Sequence, residues 1–283
     1  MQTYHVEFGG GAEGGGGVGA VLESFSVTQR PLLKLASNSP RRRQLLAIAG
    51  WKFDVSAADM DESQLPQGES PADYVLRLAE TKARAIQADA DQIILAADTA
   101  VVDGMDILGK PKDDADAIAM LKLLRGHTHQ VYTGVALLRL SDELLLKDLC
   151  VTDVPMRDYS DEEILAYVQT GDPLDKAGAY AIQHPQFHPV AMPSEEHEGI
   201  SGCYASVMGL PVCHVILLMR KMDIQPNTDF FAGCETLLEY QCPVSSAILS
   251  GGQKFGVGEL APQTDSIPFG HDEPLDSKLK GKE

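Results

Sequence analysis

Asp98 sits inside QIILAADTAVV (92–102), an apolar run that turns polar at Asp98 and Thr99. A carboxylate where a buried strand surfaces can take a proton from water or hold a hard cation. The matching cations lie elsewhere. In LASNSPRRRQLL (35–46), Ser39 reads as a helix N-cap and Pro40 as the first helical residue, with Arg41, Arg42 and Arg43 in the first turn. A helix N-terminus is the positive end of the dipole and disfavours cations, unless an anion such as phosphate is to be bound there. Lys82 lies along a helix opened by Ser70-Pro71, and Lys110-Pro111 follows the turn glycines Gly104 and Gly109. GDPLDKAGAYAIQ (171–183) combines small residues, which allow close backbone approach, with Asp175, Lys176 and Gln183. Taken singly, each has an ordinary explanation as a strand end or a solvated surface charge.

The elements that must position these groups alternate. LLKLAS is a strand, 40–49 a helix stopped by Gly50, and WKFDVSA a second strand; ADYVLRLAETKARAI carries apolar residues at three and four spacing. The 92–102 run suits a buried central strand, and 113–126 a helix closed by Gly126. QVYTGVALLRL and LLLKDLCVTDVPM read as paired strands joined around Ser141-Asp142. Helices are expected at 161–170 and about 209–222, with one short docked helix in 230–242. His127-Thr128-His129 reads as a polar turn. The order specifies an α/β domain. The boundaries expected are a flexible glycine-rich tail over 1–30, a domain over 31–222, and an extension over 223–283, docked at about 230–250 and disordered beyond.

Composition narrows the partners. With a formal net charge of −18, the chain lacks the basic face of a nucleic-acid or anionic-membrane binder, but a local basic pocket for a small anion remains open. VMGLPVCHVILLM (207–219) is too short to span a bilayer. Five cysteines and no signal-peptide pattern at the N-terminus suit a cytoplasmic protein. Cys203, Cys213, Cys234 and Cys242 with His214 lack the short pairs of a zinc site and read as free thiols.

LASNSPRRRQLL, ESPADYVLRLAETKA, AADTAVV, GKP, GHTHQVYTGVAL and DKAGAYAIQ…GLP occur in the order and spacing of the Maf family, which the chain resembles over about residues 32–222. The resemblance implies an elongated, two-lobed α/β fold around a central mixed sheet with a nucleotide cleft, related to the inosine triphosphate pyrophosphatases. It implies hydrolysis of a nucleoside triphosphate to the monophosphate and pyrophosphate, with Mg²⁺ or Mn²⁺ as cofactor. It makes Asp98 the general base, Glu62 (in DMDES) and Asp98 the metal carboxylates, and Ser39, Arg42, Lys82 and Lys110 the triphosphate's contacts. Arg41, Thr99 and Gln183 match the branch acting on dTTP and UTP. The alternatives are a 7-methylguanosine triphosphate pyrophosphatase and a non-catalytic nucleotide sensor linked to septum formation. A homodimer is a candidate assembly. An insertion at 184–211, acidic at 194–198, departs from the family pattern beside Gln183.

Overall fold

A computed structural model describes residues 32–57, 68–193 and 199–250. The expectations for residues 1–30 and 251–283, and the acidic run 194–198, lie outside the described residues.

The chain opens with β1 (Leu33–Leu35), α1 (Pro40–Ala47), β2 (Phe53–Val55), α2 (Pro71–Arg84) and β3 (Ile93–Asp103). β1 pairs in parallel with β2 on one side and β3 on the other, so the two crossovers run in opposite directions. Right-handed connections then place their helices on opposite faces of the sheet. The core clusters agree: Leu45 and Leu46 of α1 pack with Leu33, Leu35 and Ile93, whereas Ala79 and Ala83 of α2 pack with Ala36, Ile94 and Ala96. The reversal of strand order leaves a crevice where the parallel pairing of β1 with β3 ends at Leu35 and Leu95, the place where α/β sheets bind ligands.

Gly104, at φ +63°, turns β3 into β4 (Asp106–Leu108), a short edge strand absent from the sequence reading. Next come α3 (Asp114–Leu124) and a long hairpin of β5 (Thr128–Arg139) and β6 (Leu144–Pro155). The sheet is mixed and six-stranded, in the order β2-β1-β3-β5-β6, with β4 on β3. α4 (Asp161–Val168) starts from a full capping box of Ser160 and Glu163. The helix expected at about 209–222 is α6 (Val212–Arg220), and a further short helix, α5 (Tyr204–Val207), precedes it, the two separated by Gly209 at φ +105°. The expected helix in 230–242 is α7 (Phe230–Leu238), which ends where Glu239 turns left-handed; α8 (Ser245–Leu249) follows. Phe230, Leu238 and Ile248 bury themselves in the same core as α1 and α6.

Period-two alternation along β3 does the positioning. Ile93, Leu95, Ala97 and Val101 face the α1 side, while Ile94, Ala96, Ala100 and Val102 face α2. Asp98 is in phase with the α2 set, and Thr99 with the α1 set. Asp98 lies opposite Gly134 of β5. A Cβ on Gly134 would come within 2.6 Å of the Val75 carbonyl, so the bare glycine lets the α2 backbone lie directly on the sheet. Val75 and Lys82 are two helical turns apart on one stripe, and this close approach brings Lys82 down onto Asp98. Gly134→Ala should therefore destabilise the protein by about 1–3 kcal/mol through overpacking. The check is the urea unfolding midpoint; an unchanged midpoint would mean that α2 does not depend on this contact.

Candidate active site

Beyond the carboxyl end of β1 and against the middle of β3 lies a cleft of about 630 Å³, a volume typical of small-molecule sites. Ser39, Arg41, Arg42, Lys82, Asp98, Thr99, Lys110 and Gln183 all line it, although they span 145 positions of sequence from Ser39 to Gln183 counted inclusively. Glu62 lies outside the described residues. Arg43 is not among the lining side chains.

Each group arrives for a local reason. Ser39 accepts a hydrogen bond from the Arg42 backbone N–H, so the predicted cap forms and α1 points its N-terminus at the cleft. Arg42 then reaches across: its Nε donates to the Gly209 carbonyl at 2.8 Å and its terminal nitrogen to Thr99 Oγ1 at 3.3 Å. Thr133 commits its hydroxyl proton to the Ser206 carbonyl at 2.9 Å. Thr99, 3.1 Å from Thr133 Oγ1, must therefore donate to it, leaving the Thr99 oxygen to accept from Arg42. The fold thus sets the direction of the Thr99 hydroxyl.

On the other side of β3, Lys82 Nζ donates to Asp98 Oδ1 at 2.5 Å, with side chains only 13% and 8% exposed. Two charges taken this far out of water hold only because each compensates the other. Lys110 is exposed at the cleft wall. Counting the walls, five cationic side chains (Arg41, Arg42, Lys82, Lys110, Lys176) meet three carboxylates (Asp98, Asp172, Asp175). The pocket is basic inside an acidic protein.

The 171–183 stretch folds as two short 3-10 turns, Asp172–Asp175 and Ala177–Ala179. Buried Lys176 ties it together by donating to the Asp172 carbonyl, Asp172 Oδ1 and Asp175 Oδ1. Burial alone would raise the Asp172 pKa, but hydrogen bonds from Lys176 and Tyr167 hold this carboxyl below the usual range. Asp172 and Tyr180 were not singled out in the sequence; their signal was the motif around them, not their spacing.

The His127-Thr128-His129 turn expectation needs correction. Thr128 and His129 pair with Pro155 and Val154 of β6, so β5 begins there and His129 points inward. Only 2% exposed, it bonds Tyr180 Oη through Nε2 at 2.8 Å, and its Nδ1 has no hydrogen-bond partner. The His-Thr-His triplet reads as polar in sequence, but the hairpin register buries His129.

The cysteines are free thiols. Cys203, Cys213, Cys234 and Cys242 line a small apolar cavity of about 20 Å³, and burial pushes the Cys234 thiol up to about 12, which keeps it protonated. Among the described residues, no three His, Cys, Asp or Glu side chains are grouped to hold a metal ion. Among the described residues no helix is long and apolar enough to cross a membrane.

A switch-point cleft on a mixed sheet, lined by cations around one buried carboxylate, defines an α/β protein with a site for a polyanionic ligand. Residues 32–222 match the Maf-like protein family, and the chain belongs to it. It is 47% identical over 189 residues to a dTTP/UTP pyrophosphatase of Geobacter sulfurreducens, covering 66% of this chain and 95% of that protein. A dTTP/UTP pyrophosphatase of Geobacter metallireducens is 48% identical over 189 residues, 66% of this chain and 94% of its own length. One from Hahella chejuensis is 44% identical over 204 residues, 71% and 96% respectively.

His129 generates a pH test. Burial, with a smaller push from His127 and opposed by Asp103, lowers its pKa from 6.5 to about 4. Between 6.5 and about 4 the unfolded chain takes a proton that the folded one refuses, so stability falls as pH falls across that window. The full loss is on the order of 3 kcal/mol. His129→Gln, which can still bond Tyr180 but does not titrate, should show a flatter decline in urea midpoint over this range. Parallel declines in the two proteins would contradict the assignment.

Proposed function

We propose that the protein is a nucleoside triphosphate pyrophosphatase acting on dTTP- and UTP-type nucleotides. The observation that carries this reading is the buried Lys82–Asp98 pair at the centre of the basic cleft. The relatives' activity supports the same reaction.

In this scheme the triphosphate lies along the N-terminus of α1, where the positive end of the helix dipole, Ser39 and Arg42 meet its oxygens. Asp98 accepts the proton of a water as its oxygen bonds to phosphorus and the α–β phosphoanhydride P–O bond breaks. The departing pyrophosphate gains negative charge, which Lys110 and Arg42 receive. Lys82 keeps the buried carboxylate in its charged form and aligned. Arg41, Thr99 and Gln183 line the base end and favour a pyrimidine. The donor chemistry fits a divalent ion: Mg²⁺ commonly takes one or two protein carboxylates and fills the rest of its shell with phosphate and water. Asp98, with Glu62, would hold Mg²⁺ or Mn²⁺, which when bound neutralises phosphate charge. A cytoplasmic location and a homodimer are the accompanying proposals.

Asp98→Asn keeps the shape and removes the charge. With dTTP and Mg²⁺, kcat should fall by about 10²–10⁴, the usual contribution of a positioned base. KM should change little, because Arg42 and Lys110 still hold the phosphates. Near-normal kcat in the folded variant would remove Asp98 as the base and make Glu62 the candidate.

A further inference from the structure

α1 has two ends, and both are held. Its N-terminal end carries the proposed phosphate contacts. Its C-terminal end leaves orphan carbonyls, as every helix does. Leu46 and Ala47 close theirs on the Ala49 and Gly50 N–H groups, and the next three carbonyls, Ile48 to Gly50, are met by the segment that begins after the family match ends at residue 222. Thr228 Oγ1 donates to the Ile48 carbonyl. The Asn227 backbone N–H donates to the Ala49 carbonyl at 2.9 Å, and its Nδ2 to the Gly50 carbonyl at 3.2 Å. Trp51 Nε1 donates to the Gln225 carbonyl at 2.8 Å.

Two glycines mark how closely the pieces meet. Gly50 turns left-handed at φ +71°, and a Cβ there would lie 2.6 Å from Thr228 Cγ2. A Cβ on Gly233 of α7 would lie 2.8 Å from Ile48 Cγ2, so α7 sits directly on the end of α1. Asp229 starts α7 by accepting from the Phe231 and Ala232 N–H groups, which fixes the helix immediately after the contact.

We propose that residues 225–233 are a brace that aims the phosphate-binding helix, with Asn227 and Thr228 as positioning residues. This rests on the phosphate-binding reading given above. The mechanics are simple. An eight-residue helix is about 12 Å long and too short to be stable alone, so its direction is set by what touches it. Leu45 and Leu46, the sixth and seventh of its eight residues, anchor only its C-terminal half in the core. A tilt permitted at Ile48–Gly50 therefore swings Ser39, Arg41 and Arg42 at the other end. Displacements near 1 Å are enough to cost binding and rate. The family domain alone does not supply these contacts; the extension does.

The test uses the full chain carrying Asn227→Ala, Thr228→Val or both, beside Thr228→Ser. Removing the side-chain donors should raise KM for dTTP about three- to tenfold while kcat stays within about twofold. The Kd of a non-hydrolysable dTTP analogue should rise in parallel, and Thr228→Ser, which keeps the hydroxyl, should match the wild type. A folded double variant with wild-type KM and Kd, or Thr228→Val behaving like Thr228→Ser, overturns the brace. If the double variant does not fold, the single Asn227→Ala carries the comparison, since it removes one exposed hydrogen bond. The wild type is assayed alongside: its failure to bind the analogue and cleave dTTP overturns the phosphate-site reading and the brace together. Wild-type turnover with unchanged variants overturns the brace alone.

Discussion

The Lys82–Asp98 ion pair is the constraint on which the site's arrangement rests. A lone carboxylate as buried as Asp98 would cost several kcal/mol, and removing one partner of such a pair typically costs about 3–5 kcal/mol. The pair therefore demands that α2 lie at a fixed height over β3, and Gly134 is the residue that permits it. The exposed face of α2 adds little by comparison: Arg84–Glu80 and Lys147–Glu80 are surface pairs of the kind that contribute a few tenths of a kcal/mol. One interior pair, rather than the surface network, ties helix, sheet and cleft together.

On the opposite face of the same strand, a directed chain of hydrogen bonds does the complementary task. Arg42, Thr99, Thr133 and the Ser206 carbonyl form a directed series from the cleft to α5. Adjacent residues of β3 thus serve two different layers: Asp98 is held by a charge from α2, Thr99 by the Thr133 hydroxyl of β5 and the Arg42 guanidinium of α1. The resulting pocket concentrates positive charge within a chain of formal charge −18. Such a local field draws a small polyanion while the surrounding surface disfavours extended nucleic acid.

Much of this was legible in the chain. Ser39-Pro40 and Ser70-Pro71 announced two helix starts because capping is local chemistry, and both caps form as read. Asp98 stood out because a charge interrupts an otherwise apolar run. The Lys82–Asp98 contact itself was not legible, since it depends on a missing Cβ at Gly134 of β5, remote from both in sequence. His129 misled because a polar triplet after a glycine looks like a turn, and only hairpin register decides that it is buried. β4 and α5, three and four residues long, are too short to carry a period. The extension's grip on α1 was hidden for another reason: its partners are backbone carbonyls, which leave no mark in sequence.

The central claim is that the cleft places a whole triphosphate for cleavage between its α- and β-phosphorus. The most direct measurement is product analysis with dTTP, UTP and 7-methylguanosine triphosphate in the presence of Mg²⁺, scoring pyrophosphate and orthophosphate separately. The account predicts monophosphate and pyrophosphate as first products. It also predicts that dTTP and UTP are preferred by roughly tenfold to a hundredfold, the discrimination that one or two base-edge hydrogen bonds provide. Orthophosphate and a diphosphate as first products would contradict the mechanism, and a preference for 7-methylguanosine triphosphate would contradict the pyrimidine reading of Arg41, Thr99 and Gln183.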